Sequence, residues 1–122
     1  MKRFATWSSV AFLPAIVVLG RALHPLAAVY LASFVVMVVY HQSYERRWRK
    51  VDHAFAWGVI ASNCYLALET HHVLWSLGGV ALVFCALPFY RGARVGRYSW
   101  RHGWWHVLSG AACWCFARGM LG

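Results

Sequence analysis

Acidic residues are nearly missing from this sequence. Glu45, Asp52 and Glu69 stand against twelve Lys and Arg in a chain of 122 residues. Charge of either sign is scarce too: 12% of the residues are charged, where a soluble domain carries roughly 25%. With 61% hydrophobic residues and a mean hydropathy of +0.52, that scarcity argues against a soluble domain and for an integral membrane protein. Low-complexity tracts and internal repeats are also missing. The four cysteines lack zinc-finger spacing and form no disulfide framework. All four lie in apolar segments, where free Cys behaves as a small buried hydrophobe. Cys113 and Cys115 point to different sides of a helix and make a poor chelate.

What is present is a series of apolar runs. The length leaves room for four or five spans of about 20 residues. Five are expected, in one transmembrane domain covering residues 1–122, at about 4–20, 26–41, 51–69, 73–90 and 102–121. The expected fold is all-α, a polytopic transmembrane helix bundle. Pro14 is expected to kink the first span, and Pro88 lies near the end of the fourth. Thr70-His71-His72 reads as a tight turn, while 42–50 and 91–101 read as basic connections. Met1-Lys2-Arg3 before an apolar run has the outline of a signal peptide, but no small-x-small cleavage site follows, so the run reads as the first span.

The few charges are distributed unevenly. Five spans put ten of the twelve basic residues on one side: Lys2, Arg3, Arg46, Arg47, Arg49, Lys50, Arg91, Arg94, Arg97 and Arg101. Only Arg21 and Arg118 fall on the other. By the positive-inside rule the N-terminus is cytoplasmic and the C-terminus outside. The net charge of +9 favours anionic membrane lipids as partners. Nucleic acid is not an expected partner, because the basic residues sit in short loops. The eight tryptophans mostly lie near span ends, where interfacial anchoring explains them.

With this topology, depth becomes informative. His41 closes the second span, Asp52 opens the third, and His102 and His106 open the fifth. All four fall at the cytoplasmic ends of their helices. His102 and His106, four residues apart, project from one helix face. Ionisable groups inside membrane segments are costly and usually face a partner in the bundle interior. Three imidazoles and a carboxylate suit a catalytic zinc site, in which three protein ligands leave the fourth position to water. Asp52 then orients or deprotonates that water. Ser109 and Cys113 continue the His102/His106 stripe, Asn63 lies eleven residues beyond Asp52, and Tyr30 lies eleven before His41. Tyr30, Asn63 and Ser109 are accordingly expected to be interior polar residues. His24, His53, His71 and His72 read as headgroup neighbours.

Tyr40-His-Gln-Ser-Tyr-Glu45, Val51-Asp-His-Ala-Phe-Ala-Trp-Gly58 and His102-Gly-Trp-Trp-His106 together resemble the CREST membrane superfamily. That superfamily groups alkaline ceramidases, progestin/adiponectin receptors, haemolysin-III-like proteins and myomaker-like proteins. The resemblance covers about 40 residues and implies that His41, His102 and His106 are zinc ligands. It also implies that Asp52 handles the water and that the reaction is hydrolysis of a lipid amide or ester. There are two departures: the superfamily usually has seven helices, and it carries a Ser where this chain has Met37. Ser33, two turns from His41, is an imperfect substitute.

Two other classes stay open. One is a non-catalytic membrane protein in which a structural zinc, or a His–Asp hydrogen-bond network, ties helices together. Asp52 also has bland roles there, pairing with Arg101 or capping the third span. The other is a haem-binding electron carrier with histidine axial ligands. Five helices make a small bundle, so homo-oligomerisation also stays open.

Overall fold

The computed structural model describes the backbone of residues 8–43, 46–93 and 100–121, and side chains over 8–40, 47–89 and 103–121. Several expectations therefore lie outside the described residues: the start of the first span with Lys2, Arg3 and Trp7, the residue Glu45, and Arg94 and Arg97. The side chains of His41, Arg46, Arg91, Trp100, Arg101 and His102 lie outside them as well.

The described chain is all helix. A 3₁₀ turn, Ser9–Phe12, leads into α1 (Leu13–Arg21), followed by α2 (Leu26–Ser43), α3 (Arg46–Leu68), α4 (Val73–Ala93) and α5 (Trp100–Leu121). These match the five expected segments, with three differences. Pro14 does not kink the first helix; it sits in the first turn of α1, where its missing N–H costs nothing. Arg46, Arg47, Arg49 and Lys50, expected in a connection, open α3 instead. Arg and Lys are good helix formers, and no Gly or Pro interrupts them. Helix α4 continues through Pro88 to Ala93.

Helix α1 ends in a Schellman motif. The Leu23 N–H donates to the Gly20 carbonyl (3.0 Å), and the His24 N–H donates to the Leu19 carbonyl (2.9 Å). The left-handed position this motif needs is filled by Leu23, at φ 54°, rather than by glycine. Pro25 follows.

Helix α5 is the hub. It packs against α4, the 3₁₀ turn, α1 and α3, while α2 packs against α3, α1 and the 3₁₀ turn. Small residues make this possible. A Cβ on Gly110 would lie 2.5 Å from the Ala11 backbone carbonyl, and one on Gly79 of α4 would lie 2.9 Å from the Phe116 ring. At the far end, a Cβ on Gly119 would lie 2.9 Å from Thr70 Oγ1. The Thr70-His71-His72 turn docks there, with the His71 and His72 N–H groups donating to the Gly119 carbonyl at 2.9 and 3.1 Å. Phe12, Leu19, Tyr30, Met37, Leu66 and Phe116 fill the core around this helix.

The outside of the bundle is apolar. Leu74 (83% exposed) and Phe84 (68%) project from α4, and Leu68 (85%) and Trp57 (71%) from α3. Among the residues whose side chains are described, no helix is long and apolar enough to cross a membrane.

Two stability changes are expected. Gly110→Ala forces the 3₁₀ turn off α5 and destabilises by about 1–3 kcal/mol, as overpacking does. Leu23→Gly relieves the left-handed strain and stabilises by about 1 kcal/mol. Thermal melts of the purified protein followed by circular dichroism check both, with opposite shifts in Tm expected.

Candidate functional site

The 3₁₀ turn brings the one described candidate ligand into place. Its rise is about 2.0 Å per residue, so Ser8 and Ala11, three apart, are separated by about 6 Å on one side of the turn. On α5, His106 and Gly110 are four apart and also about 6 Å apart along the axis. The two spacings agree, and Ala11 sits on Gly110 while the Ser8 hydroxyl lies 3.0 Å from His106 Nδ1. His106 is buried, as are Ser8 and Ser9. Phe12 meets the imidazole edge-on, with ring centroids 6.3 Å apart. When Nδ1 carries the proton and donates it to Ser8, the ring lone pair is on Nε2, the atom a metal takes.

A second polar chain crosses the bundle deeper down. The Tyr30 hydroxyl donates to Asn63 Oδ1, and Asn63 Nδ2 donates to Cys113 Sγ at 3.4 Å. Tyr30 and Cys113 are each only 1% exposed. These bonds join α2, α3 and α5. Tyr30 is buried, and Asn63 and Ser109 are half-buried.

The spacing of these residues bears on the remaining candidates. Position 41 is eleven residues from Tyr30, position 52 eleven from Asn63, and position 102 eleven from Cys113. Eleven residues make three turns with about 20° to spare, a rise of roughly 16 Å. The chain runs forward from Tyr30 to 41 and backward from Asn63 to 52 and from Cys113 to 102. Since α2 runs opposite to α3 and α5 in an up-and-down bundle, all three displacements point the same way. Positions 52 and 102 thus keep the spacing of Asn63 and Cys113, while the Ser33–Phe55 and Val29–Gly58 contacts set position 41 nearer the start of α3 than position 52.

Asp52 itself is half-buried in the second turn of α3. The helix begins at Arg46, so Asp52 does not cap its N-terminus. Its other suggested partner, the Arg101 side chain, lies outside the described residues. Among the described residues, no group of three His, Cys, Asp or Glu side chains is close enough to hold a metal.

Ser33, the substitute considered for the superfamily's serine, is buried and already committed. Its hydroxyl lies 2.8 Å from the Val29 carbonyl and 3.5 Å from the Phe55 carbonyl, so its one proton goes to the backbone. Met37 is buried in the core. The four cysteines are free thiols, Cys113 and Cys115 buried, Cys64 and Cys85 exposed.

Two polar partners were missed from sequence. Ser8 is the polar partner of His106, and its only signal is a Ser8-Ser9 pair inside an otherwise apolar run. Cys113 closes the polar chain from Asn63, and sequence marked it only as part of a stripe.

No protein-family model, curated protein or solved structure matches the chain. The resemblance to the ceramidase and adiponectin-receptor superfamily therefore rests on its motif residues alone.

Breaking the polar chain from one side is expected to cost more than removing both partners. Tyr30→Phe leaves half-buried Asn63 Oδ1 without its donor and destabilises by about 1 kcal/mol. Tyr30→Phe/Asn63→Leu recovers much of that loss. A double-mutant cycle on thermal unfolding checks it, and additive losses would contradict the network.

Proposed function

We propose that this chain is a membrane-embedded helical bundle that holds zinc on His41, His102 and His106 and hydrolyses an amide or ester bond of a lipid. The cytoplasmic membrane face is the proposed site of reaction, with the N-terminus cytoplasmic and the C-terminus outside. The observation that carries the reading is the buried His106 imidazole, held with Nδ1 3.0 Å from the Ser8 hydroxyl. The apolar exterior of α3 and α4 supports lipid as the surrounding medium, since a contiguous exposed apolar surface is unusual for a soluble monomer.

The donor set fits zinc. Three imidazoles with one carboxylate nearby are its usual catalytic company. Zinc held there supplies Lewis acidity and makes a water molecule a competent nucleophile at neutral pH. The chain's own residues do the rest. Ser8 holds the His106 ring through Nδ1 and thereby sets which nitrogen faces the site. Asp52 accepts the proton from water and returns it to the departing amine or alcohol. Acyl chains of the substrate approach between the helices from the bilayer.

A second reading keeps the zinc and drops the chemistry. It is favoured by Met37 and Ser33: one has no donor, and the other spends its proton on the Val29 carbonyl. No serine then steadies a developing oxyanion. In this reading zinc ties α2 and α5 together.

Elemental analysis of the detergent-purified protein tests both readings. About one zinc per chain is expected, lost in His102→Ala/His106→Ala with helicity retained. Zinc-free wild type prepared without chelators would sink both. Asp52→Asn separates them, because the hydrolase loses turnover of a fluorescent ceramide or ester lipid while keeping its metal. Ser8→Ala is expected to weaken zinc binding about 10–100-fold, as loss of a ligand's supporting hydrogen bond does; unchanged affinity would remove Ser8 from the site.

A further inference from the structure

The two exceptions to the charge asymmetry meet. Arg21 and Arg118, 97 residues apart in sequence, line one cleft at the end of the bundle opposite to His106. Val18, Ala22 and Leu121 complete its walls, and its volume is about 380 Å³. That is within the range of small-ligand clefts, about 300–1,000 Å³. Two arginines at the edge of an aliphatic wall suit an amphipathic anion.

Both arginines sit in the last turns of their helices, where capping carbonyls is the usual task for a cation. Here that task is largely done by backbone. The Schellman motif takes the Leu19 and Gly20 carbonyls, and the His71 and His72 N–H groups take the Gly119 carbonyl. Arg118 is held in place from one side: its guanidinium lies 5.8 Å from the Trp75 ring, which packs edge-on against Trp114 at 5.1 Å. Among the described residues, neither arginine has an ion-pair partner. Leu23, 90% exposed, extends the apolar surface beyond Arg21.

We infer that this cleft binds the phosphate of an anionic lipid headgroup, with Arg21 and Arg118 on the phosphate and the start of an acyl chain along Val18 and Leu121. Arginine forks suit phosphate oxygens and are weakly hydrated enough to work at an apolar boundary. On the proposed topology the lipid comes from the outer leaflet. Only that leaflet assignment rests on the membrane reading; the binding itself does not.

The test is calorimetric titration of the full chain in neutral detergent with short-chain phosphatidylglycerol, short-chain phosphatidylcholine and inorganic phosphate. Saturable binding of phosphatidylglycerol is expected, with Arg21→Gln and Arg118→Gln each weakening it by at least about tenfold. Both side chains are exposed, so the variants are expected to keep the wild-type melt, which circular dichroism checks. Equal binding by wild type and both variants overturns the site. Phosphatidylcholine binding as tightly as phosphatidylglycerol overturns recognition of charge. Inorganic phosphate binding as tightly as the lipid overturns the lipid as occupant and leaves a free-phosphate site. Carbonate extraction of expressing membranes reads the other proposal separately. A chain released by carbonate that still binds the lipid through its arginines retains this site and loses the membrane reading; a chain that stays in the membrane with silent variants does the reverse.

Discussion

The bundle depends on how closely other backbones can approach α5. Without side chains at 110 and 119, the helix admits Ala11 at one end and the Thr70 turn at the other. Helix α4 comes in against Phe116 in the same way, through its own Gly79. Close backbones gain many van der Waals contacts, individually small and collectively large. Each close approach also places a polar group. The Ala11 contact brings Ser8 to His106, and the Thr70 turn gives the Gly119 carbonyl its donors. Packing and polar satisfaction are thus one event, seen at two ends of one helix.

The polar residues inside the bundle are few and divided by level. Near the middle, Tyr30, Asn63 and Cys113 satisfy one another across three helices. Toward the histidine end, Ser33 ties α2 to the α3 backbone and Ser8 holds His106. A bundle with so little polar matter has few ways to specify which helix faces which. These bonds supply that specificity, since a slipped or rotated helix would leave a buried donor or acceptor without a partner.

Much of this was legible in sequence and some was not, for physical reasons. Five helical segments follow from apolar runs bounded by basic residues, prolines and the Thr70 turn. Tyr30 and Asn63 follow from helical periodicity, which depends only on residues within one helix. The start of α3 was misjudged because Arg46 to Lys50 are as polar as a loop, yet they favour helix. Pro14 was misjudged because a proline inside an apolar run reads as a kink unless the preceding turn is known to be 3₁₀. Ser8 and the cleft at Arg21 and Arg118 were hidden for a deeper reason: each needs the relative placement of two distant segments, and no local pattern encodes it.

The eleven-residue intervals make this chain sensitive to counting as well as to composition. Between Tyr30 and position 41 lie mostly Val, Ala, Ser and Phe, and many apolar replacements would preserve the helix. Deleting any one of them is different. It swings everything beyond it by about 100° and draws it back by about 1.5 Å, while the anchored end stays fixed by Asn63. Position 41 would then turn off the Tyr30 face although every remaining residue is unchanged. The same holds between positions 52 and 63, and between 102 and 113. In these three stretches the number of residues matters more to the geometry than which apolar residues they are.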